Sequence, residues 1–265
     1  MSRATYAKLV AIMVLLTVVQ SVVLLQFDWF GDAGSDEAGP IDTLFDVMIV
    51  LSCFVFSIVI VMFVYAIWKF RVKPGDEGDG KPIHGNTRLE IAWTVIPTII
   101  VLFGAAYSWV VLDDIESEAA DSMPLVVTGQ QFKWTFEYPQ KMVGTGDSAT
   151  PVTTNELHVP VDRQLNVSLV ALDVLHSFWV PEWRIKRDLV PAQDPAEEGV
   201  DNTFVVTPDT EGSFSLVCTE LCGTGHATMR AAVVVESQEE FDQWLDEQAR
   251  AQEASSGGAS SADGS

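Results

Sequence analysis

The chain has 265 residues, of which 37 are acidic and 15 basic, giving a net charge of −22. Such an excess of carboxylates repels phosphate backbones and excludes DNA or RNA as partners. Yet 48% of the residues are hydrophobic and the mean hydropathy is positive, so the apolar residues must be concentrated, and they fall in three blocks within the first 112 residues.

The first block, Leu9 to Leu25, is broken only by Thr17, Gln20 and Ser21, and Arg3 and Lys8 precede it. Residues 1–27 therefore fit a signal peptide or a first membrane helix. The length of the run, with no small-x-small cleavage site directly after it, leans toward a retained anchor. Residues 41–112 read as a transmembrane helical hairpin, with uncharged runs at about 47–68 and 91–112. Each can cross a hydrocarbon core of about 30 Å at about 1.5 Å per residue. Tyr65, Trp68 and Trp93 sit where an aromatic belt would place them. Pro97 predicts a kink that neighbouring helices can tolerate. Lys69, Arg71, Lys73, Lys81 and Arg88 lie between the two runs, whereas Gln26–Asp46 holds no Lys or Arg. That bias predicts a cytoplasmic inter-helix loop, with everything after Leu112 outside the cell membrane.

Residues 113–250 read as an extracytoplasmic β-domain. Short β-branched and aromatic runs, at Leu125–Val127, Phe132–Tyr138, Leu165–Val170, Thr203–Val206, Ser213–Val217 and Ala231–Val235, are separated by turn residues. Their spacing predicts a small antiparallel sandwich or barrel. Ser237 to Arg250 predicts a closing helix, with a Ser237–Glu240 capping box and an apolar stripe from Phe241 and Trp244. Residues 251–265, rich in Ser, Gly and Ala, read as a disordered tail. The acids are spread along the whole exposed part, which favours adaptation to high salt, as in a halophile, over a docking patch for a basic protein or a solvated face.

The chemistry concentrates in Cys218-Thr-Glu220-Leu-Cys222-Gly-Thr-Gly-His226-Ala-Thr-Met229, with a further imidazole upstream at His176. Thiolate, imidazole and thioether form a soft donor set, which points to copper over calcium or magnesium. A blue copper site needs two His, one Cys and a weak Met. The extra Cys lets two thiolates bridge two copper ions, each capped by one His. Gly223 and Gly225 permit a tight loop. A disulfide would leave the histidines and Met229 without a purpose, and zinc would leave Met229 unexplained.

This motif, with Asp173-Val-Leu-His176-Ser-Phe upstream, resembles that of subunit II of cytochrome c oxidase and its copper A centre, over about residues 41–250. The resemblance implies a membrane-anchored all-β chain, an N-terminal helical hairpin followed by a cupredoxin-like Greek-key barrel. It implies that His176, Cys218, Cys222, His226, Met229 and the Glu220 carbonyl hold two copper ions. It also implies that the Glu220 side chain shares a magnesium ion with a haem-containing large subunit. In the family, Glu90 matches a carboxylate at the mouth of a proton path; a carboxylate at a helix N-terminus is also favoured by the macrodipole. Phe132 stands where the family's aromatic strand carries the tryptophan through which electrons enter, and Trp134 keeps the second aromatic. That departure leaves the soluble electron donor as cytochrome c or a blue copper protein. Asp173 either orients His176 or is simply solvated. Cys53, His84 and His158 read as structural. The rival from another class is a membrane-tethered copper-binding protein for copper acquisition or delivery.

Overall fold

The computed structural model describes residues 2–72, 74–75, 78, 82, 84–144, 146–191 and 202–259. Two compact units result: Met1–Trp29 with Asp42–Leu112, and Phe30–Ile41 with Asp113–Ser265. Lys73 and Lys81 of the expected basic loop, and residues 260–265 of the expected tail, lie outside the described residues.

The first unit is built on α1 (Arg3–Leu24), α2 (Ala38–Phe70) and α3 (Thr87–Ile115), each long and apolar enough to cross a membrane. Their exposed faces carry Val59, Met62, Phe63, Ile99 and Leu102. Water would not tolerate such a surface on a soluble chain, so these helices anchor the protein in lipid. α2 and α3 extend beyond the expected 47–68 and 91–112 because the uncharged run marks only the hydrocarbon stretch. The helices continue past Asp42, Asp46 and Lys69 at one, and past Asp113 and Asp114 at the other. Ser57, buried on α2, donates from Oγ to Gln20 Oε1 of α1 at 3.2 Å. A polar pair of this kind is how apolar helices recognise each other in lipid. Cys53 lies buried one turn earlier on α2, and His84 is exposed.

The second unit is a sandwich of two five-stranded sheets. Its strands are β1 (Met123–Gln130), β2 (Lys133–Val143), β3 (Thr150–Thr154), β4 (Leu157–Pro160), β5 (Leu165–Ala171), β6 (His176–Trp179), β7 (Lys186–Leu189), β8 (Thr203–Val206), β9 (Gly212–Cys218) and β10 (Arg230–Glu236). The orders are β3-β2-β1-β5-β8 and β4-β10-β9-β6-β7. The expected purely antiparallel arrangement gives way to a mixed one, because β1 pairs parallel with β5 and β4 parallel with β10. Alternation fills the core: Met123, Leu125 and Val127 of β1 and Leu165, Val167 and Leu169 of β5 point inward. Phe132 falls in the turn before β2 and not on the strand.

α4 (Gln238–Ala259) closes the unit. The expected capping box forms: Ser237 Oγ accepts from Glu240 N at 3.3 Å, and Glu240 Oε2 accepts from Ser237 N at 3.2 Å. Phe241 and Trp244 pack on Tyr138, and Trp244 stacks on His158 of β4 at 4.0 Å. The helix does not stop at Arg250 as expected. Gln252 pins it further by exchanging two hydrogen bonds with the Thr153 backbone, at 3.2 and 2.8 Å, and the helix runs on to Ala259.

Composition alone did not reveal the strap, residues 30–41. Gly34 N donates to Glu182 O at 2.9 Å, Asp36 N to Thr207 O at 3.0 Å, and Asp209 N to Gly34 O at 3.3 Å. Arg184 donates to the carbonyls of Phe30, Gly31 and Asp32 and lies over the Phe30 ring at 5.2 Å. The buried Glu37 carboxylate accepts from Thr207 N at 3.0 Å. Burial outweighs that bond and pushes the Glu37 carboxyl above its ordinary range. The folded state therefore keeps a proton that the unfolded chain releases. The resulting stability is present below the unfolded pKa and is lost as pH rises through the folded one. Glu37→Gln should flatten the gain in melting temperature on acidification just above the ordinary glutamate range, read as wild type minus variant in thermal melts of the detergent-solubilised chain.

Candidate metal centre

β6 and β9 pair antiparallel with Phe178 opposite Cys218. His176, at the start of β6, thereby meets the end of β9. The loop from Cys218 to Met229 leaves β9 and returns into β10, and Cys218 N donates to Met229 O at 3.1 Å to close its neck. Within the loop, His226 N bonds Gly223 O at 3.2 Å and Met229 N bonds His226 O at 3.2 Å. These short local bonds turn both side chains back toward the cysteines.

The six expected donors come together. Cys218 Sγ lies 3.8 Å from Cys222 Sγ, 3.9 Å from His176 Nδ1 and 3.4 Å from the Glu220 carbonyl oxygen. Cys222 Sγ lies 3.5 Å from His226 Nδ1 and 3.9 Å from Met229 Sδ. Both cysteines are free. His176, Cys218, Cys222 and Met229 are buried, and His226 is half-buried. Ligand atoms that share a first-row metal at about 2.0–2.3 Å stand apart by such distances, and the donors are soft. The residues fit copper. Burial, with the neighbouring Cys218 thiol, pushes the Cys222 thiol up to about 11.

Asp173 is not merely solvated. Its Oδ1 lies 2.8 Å from His176 Nε2, which directs the Nδ1 lone pair at the cysteines. Burial works against the charge on Asp173, but bonds from Gln131 N, His176 and Val174 N outweigh it and hold the carboxyl below its ordinary range.

The two aromatics separate. Trp134 is buried in the core, edge-on to His176 at 6.2 Å and to Phe178 at 6.4 Å. It cannot meet a soluble donor directly. Phe132 is 37% exposed and its ring covers the metal loop. A Cβ on Gly223, which has φ +131°, would come within 3.1 Å of that ring, and one on Gly225 within 2.4 Å. Gln131, which carried no sequence signal of its own, donates from its side chain to the Cys222 carbonyl at 2.6 Å. Its place beside a surface aromatic was the only available hint. Glu90 lies in the first turn of α3, where Oε1 accepts from Asn86 N at 3.0 Å and so caps the helix.

A cupredoxin-like sandwich carrying this donor set, joined to apolar helices, defines a membrane-anchored copper-domain protein. Residues 21–111 match the model of the cytochrome c oxidase subunit II transmembrane domain, and residues 123–238 that of its periplasmic domain. Cytochrome c oxidase subunit 2 of Synechocystis is 30% identical over 88% of this chain and 81% of the relative. The alternative cytochrome c oxidase subunit 2 of Bradyrhizobium diazoefficiens is 30% identical over 90% and 91%. The solved periplasmic domain of subunit II from Bradyrhizobium japonicum is 27% identical, with a TM-score of 0.41, over 51% of this chain and 97% of that one. The chain belongs to the cytochrome c oxidase subunit II family, and is an electron-transfer subunit of a haem–copper terminal oxidase.

The seating of Phe132 on the loop is directly testable. Gly225→Ala should cost about 1–3 kcal/mol by overpacking, measured by denaturant unfolding of the detergent-solubilised chain. Adding Phe132→Ala should recover most of that loss, since the ring is the obstacle.

Proposed function

We propose that this chain holds a dinuclear copper centre, copper A, on the outer face of the cell membrane. There it takes single electrons from a soluble donor and delivers them to haem in the large oxidase subunit, for reduction of oxygen to water with proton pumping. The observation that carries this reading is the cluster of two thiols, two imidazoles, a thioether and a carbonyl, with neighbouring donors 3.4–3.9 Å apart. Cys218, Cys222, His176, His226, Met229 and the Glu220 carbonyl would hold the copper, a soft donor set suited to it. When bound, the copper pair supplies a one-electron carrier whose charge is shared, so that bond lengths change little. The chain itself contributes burial, which excludes water, and the Asp173–His176 bond, which fixes the imidazole. The half-buried Glu220 side chain offers an oxygen to magnesium, a hard cation. Phe132 presents the surface edge to cytochrome c or a blue copper protein.

The path of the chain supports this sidedness. The strap and the β-domain fold as one unit, so both lie on one side of the bilayer. α2 and α3 then cross as a hairpin, and the segment with Lys69, Arg71 and Arg88 lies on the opposite, cytoplasmic side. On this reading Glu90, in the first turn of α3 two residues after Arg88, would lie on the side from which protons are taken up. The acid excess suits a salt-rich setting, where screening removes self-repulsion.

Two measurements test the reading. Purified with its partner subunits, the chain should show the EPR hyperfine pattern of one electron shared by two coppers, and Cys222→Ser should abolish it. A single-copper signal or a zinc-only protein would overturn the assignment. Glu90→Gln should slow oxygen turnover at least about ten-fold while leaving the copper spectrum intact; unchanged turnover would remove the proton role.

A further inference from the structure

One residue outside the donor set bonds a cysteine of the loop and the carboxylate that holds His176. Gln131 lies in the turn between β1 and β2. Its backbone N–H donates to Asp173 Oδ2 at 2.7 Å, and the other oxygen of that carboxylate holds His176 Nε2 at 2.8 Å. Its side-chain amide donates to the Cys222 carbonyl at 2.6 Å. We propose that Gln131 is a positioning residue, a cross-brace that fixes the cysteine arm of the metal loop against the Asp173–His176 arm. The proposal rests on the copper reading above and adds to it the device that registers the two arms.

The physical need is specific. After Cys222 the chain passes through Gly223, at φ +131°, a conformation with little steric resistance to change. The bonds His226 N to Gly223 O and Thr228 N to Gly225 O stiffen the loop internally. They do not fix it to the rest of the sandwich. Thr219 N ties the start of the loop to Ser177 O at 3.1 Å, and the Gln131 amide ties it further along, at Cys222. The Phe132 ring packs over Gly223 and Gly225 next to that part-buried bond, and a hydrogen bond withdrawn from water is electrostatically stronger. An amide suits the task because it donates without adding charge beside the thiols.

The test uses the intact oxidase complex and three readouts: copper affinity by chelator competition, the copper EPR hyperfine pattern, and the alkylation rate of Cys222 in the copper-free complex. Gln131→Met keeps the length and the backbone N–H but removes the donor. It should weaken copper binding about 10–100-fold, alter the hyperfine pattern and speed alkylation. Gln131→Glu keeps the shape but turns an acceptor toward the carbonyl, and should be worse than Gln131→Met. A packing role alone would reverse that order, because Glu is the better shape match. The combined loss in Gln131→Met with Asp173→Asn should be smaller than the product of the single losses, since independent sites multiply. A reversed order, a full product, or a Gln131→Met complex unchanged in all three readouts would overturn the brace while leaving the copper reading intact. A wild-type complex without the shared-electron signal would instead overturn the copper reading itself, and the brace with it.

Discussion

The metal centre depends on the pairing of β6 with β9. Four side-chain donors come from one short loop, but His176 lies 42 residues before Cys218. Only a strand register can bring it there. Phe178 opposite Cys218 and Trp179 opposite Val217 set that register. Side chains alternate between the faces of a strand, so a slip by one residue would turn His176 to the wrong face. The same slip would pull Phe178, fully buried against Trp134 and Phe204, out of the core. Burial of that ring is worth roughly 1.5–3 kcal/mol. The apolar core therefore holds the register, and the register holds the imidazole.

What could be read in advance follows from how local each signal is. The membrane helices were legible because hydrocarbon demands about 20 uncharged residues in succession, but their ends were not, since interfacial acids interrupt the run without ending the helix. The donor set was legible because five of its six members fall between Cys218 and Met229. Six strands were visible as apolar runs. β3, β4, β6 and β7 carry no such run. At four or five residues each offers too few alternations to stand out, and β6 begins with a histidine. The parallel pairings β1–β5 and β4–β10 join distant segments and leave no periodic trace. Phe132 was placed on a strand because its neighbours are aromatic at every second position, yet the turn claims it. Gln131 had no signature because an amide gains its role only from what the fold sets opposite it.

The strap shows the same limit in another form. The sequence displayed only a lack of bases between Gln26 and Asp46. In the fold, those residues complete the copper-side unit by threading past Glu182, Thr207 and Asp209. Arg184 makes the arrangement possible. It sits at φ 62°, a conformation that costs a non-glycine residue of order 1–3 kcal/mol. Its guanidinium answers four carbonyls, those of Phe30, Gly31, Asp32 and Pro181, and the Phe30 ring. A strongly acidic chain thus spends one of its few cations on internal carbonyls.

That allocation bears on how the proposed donor is recognised. At a net charge of −22 a basic protein would be drawn in from a distance at low salt. At about 1 M salt the Debye length is only ~3 Å, so attraction shrinks to contact range. Selection then falls to side chains that a donor touches. Around the metal loop, Phe132 over Gly225, Leu221 between the two cysteines and Leu175 beside His176 expose apolar surface, next to the charged Glu220 and Lys133. Such a rim keeps its affinity when charges are screened, because burial of apolar area strengthens with salts that are excluded from protein surfaces. The Gln131–Cys222 bond and the exposed Phe132 ring therefore meet in the same turn, residues 131 and 132.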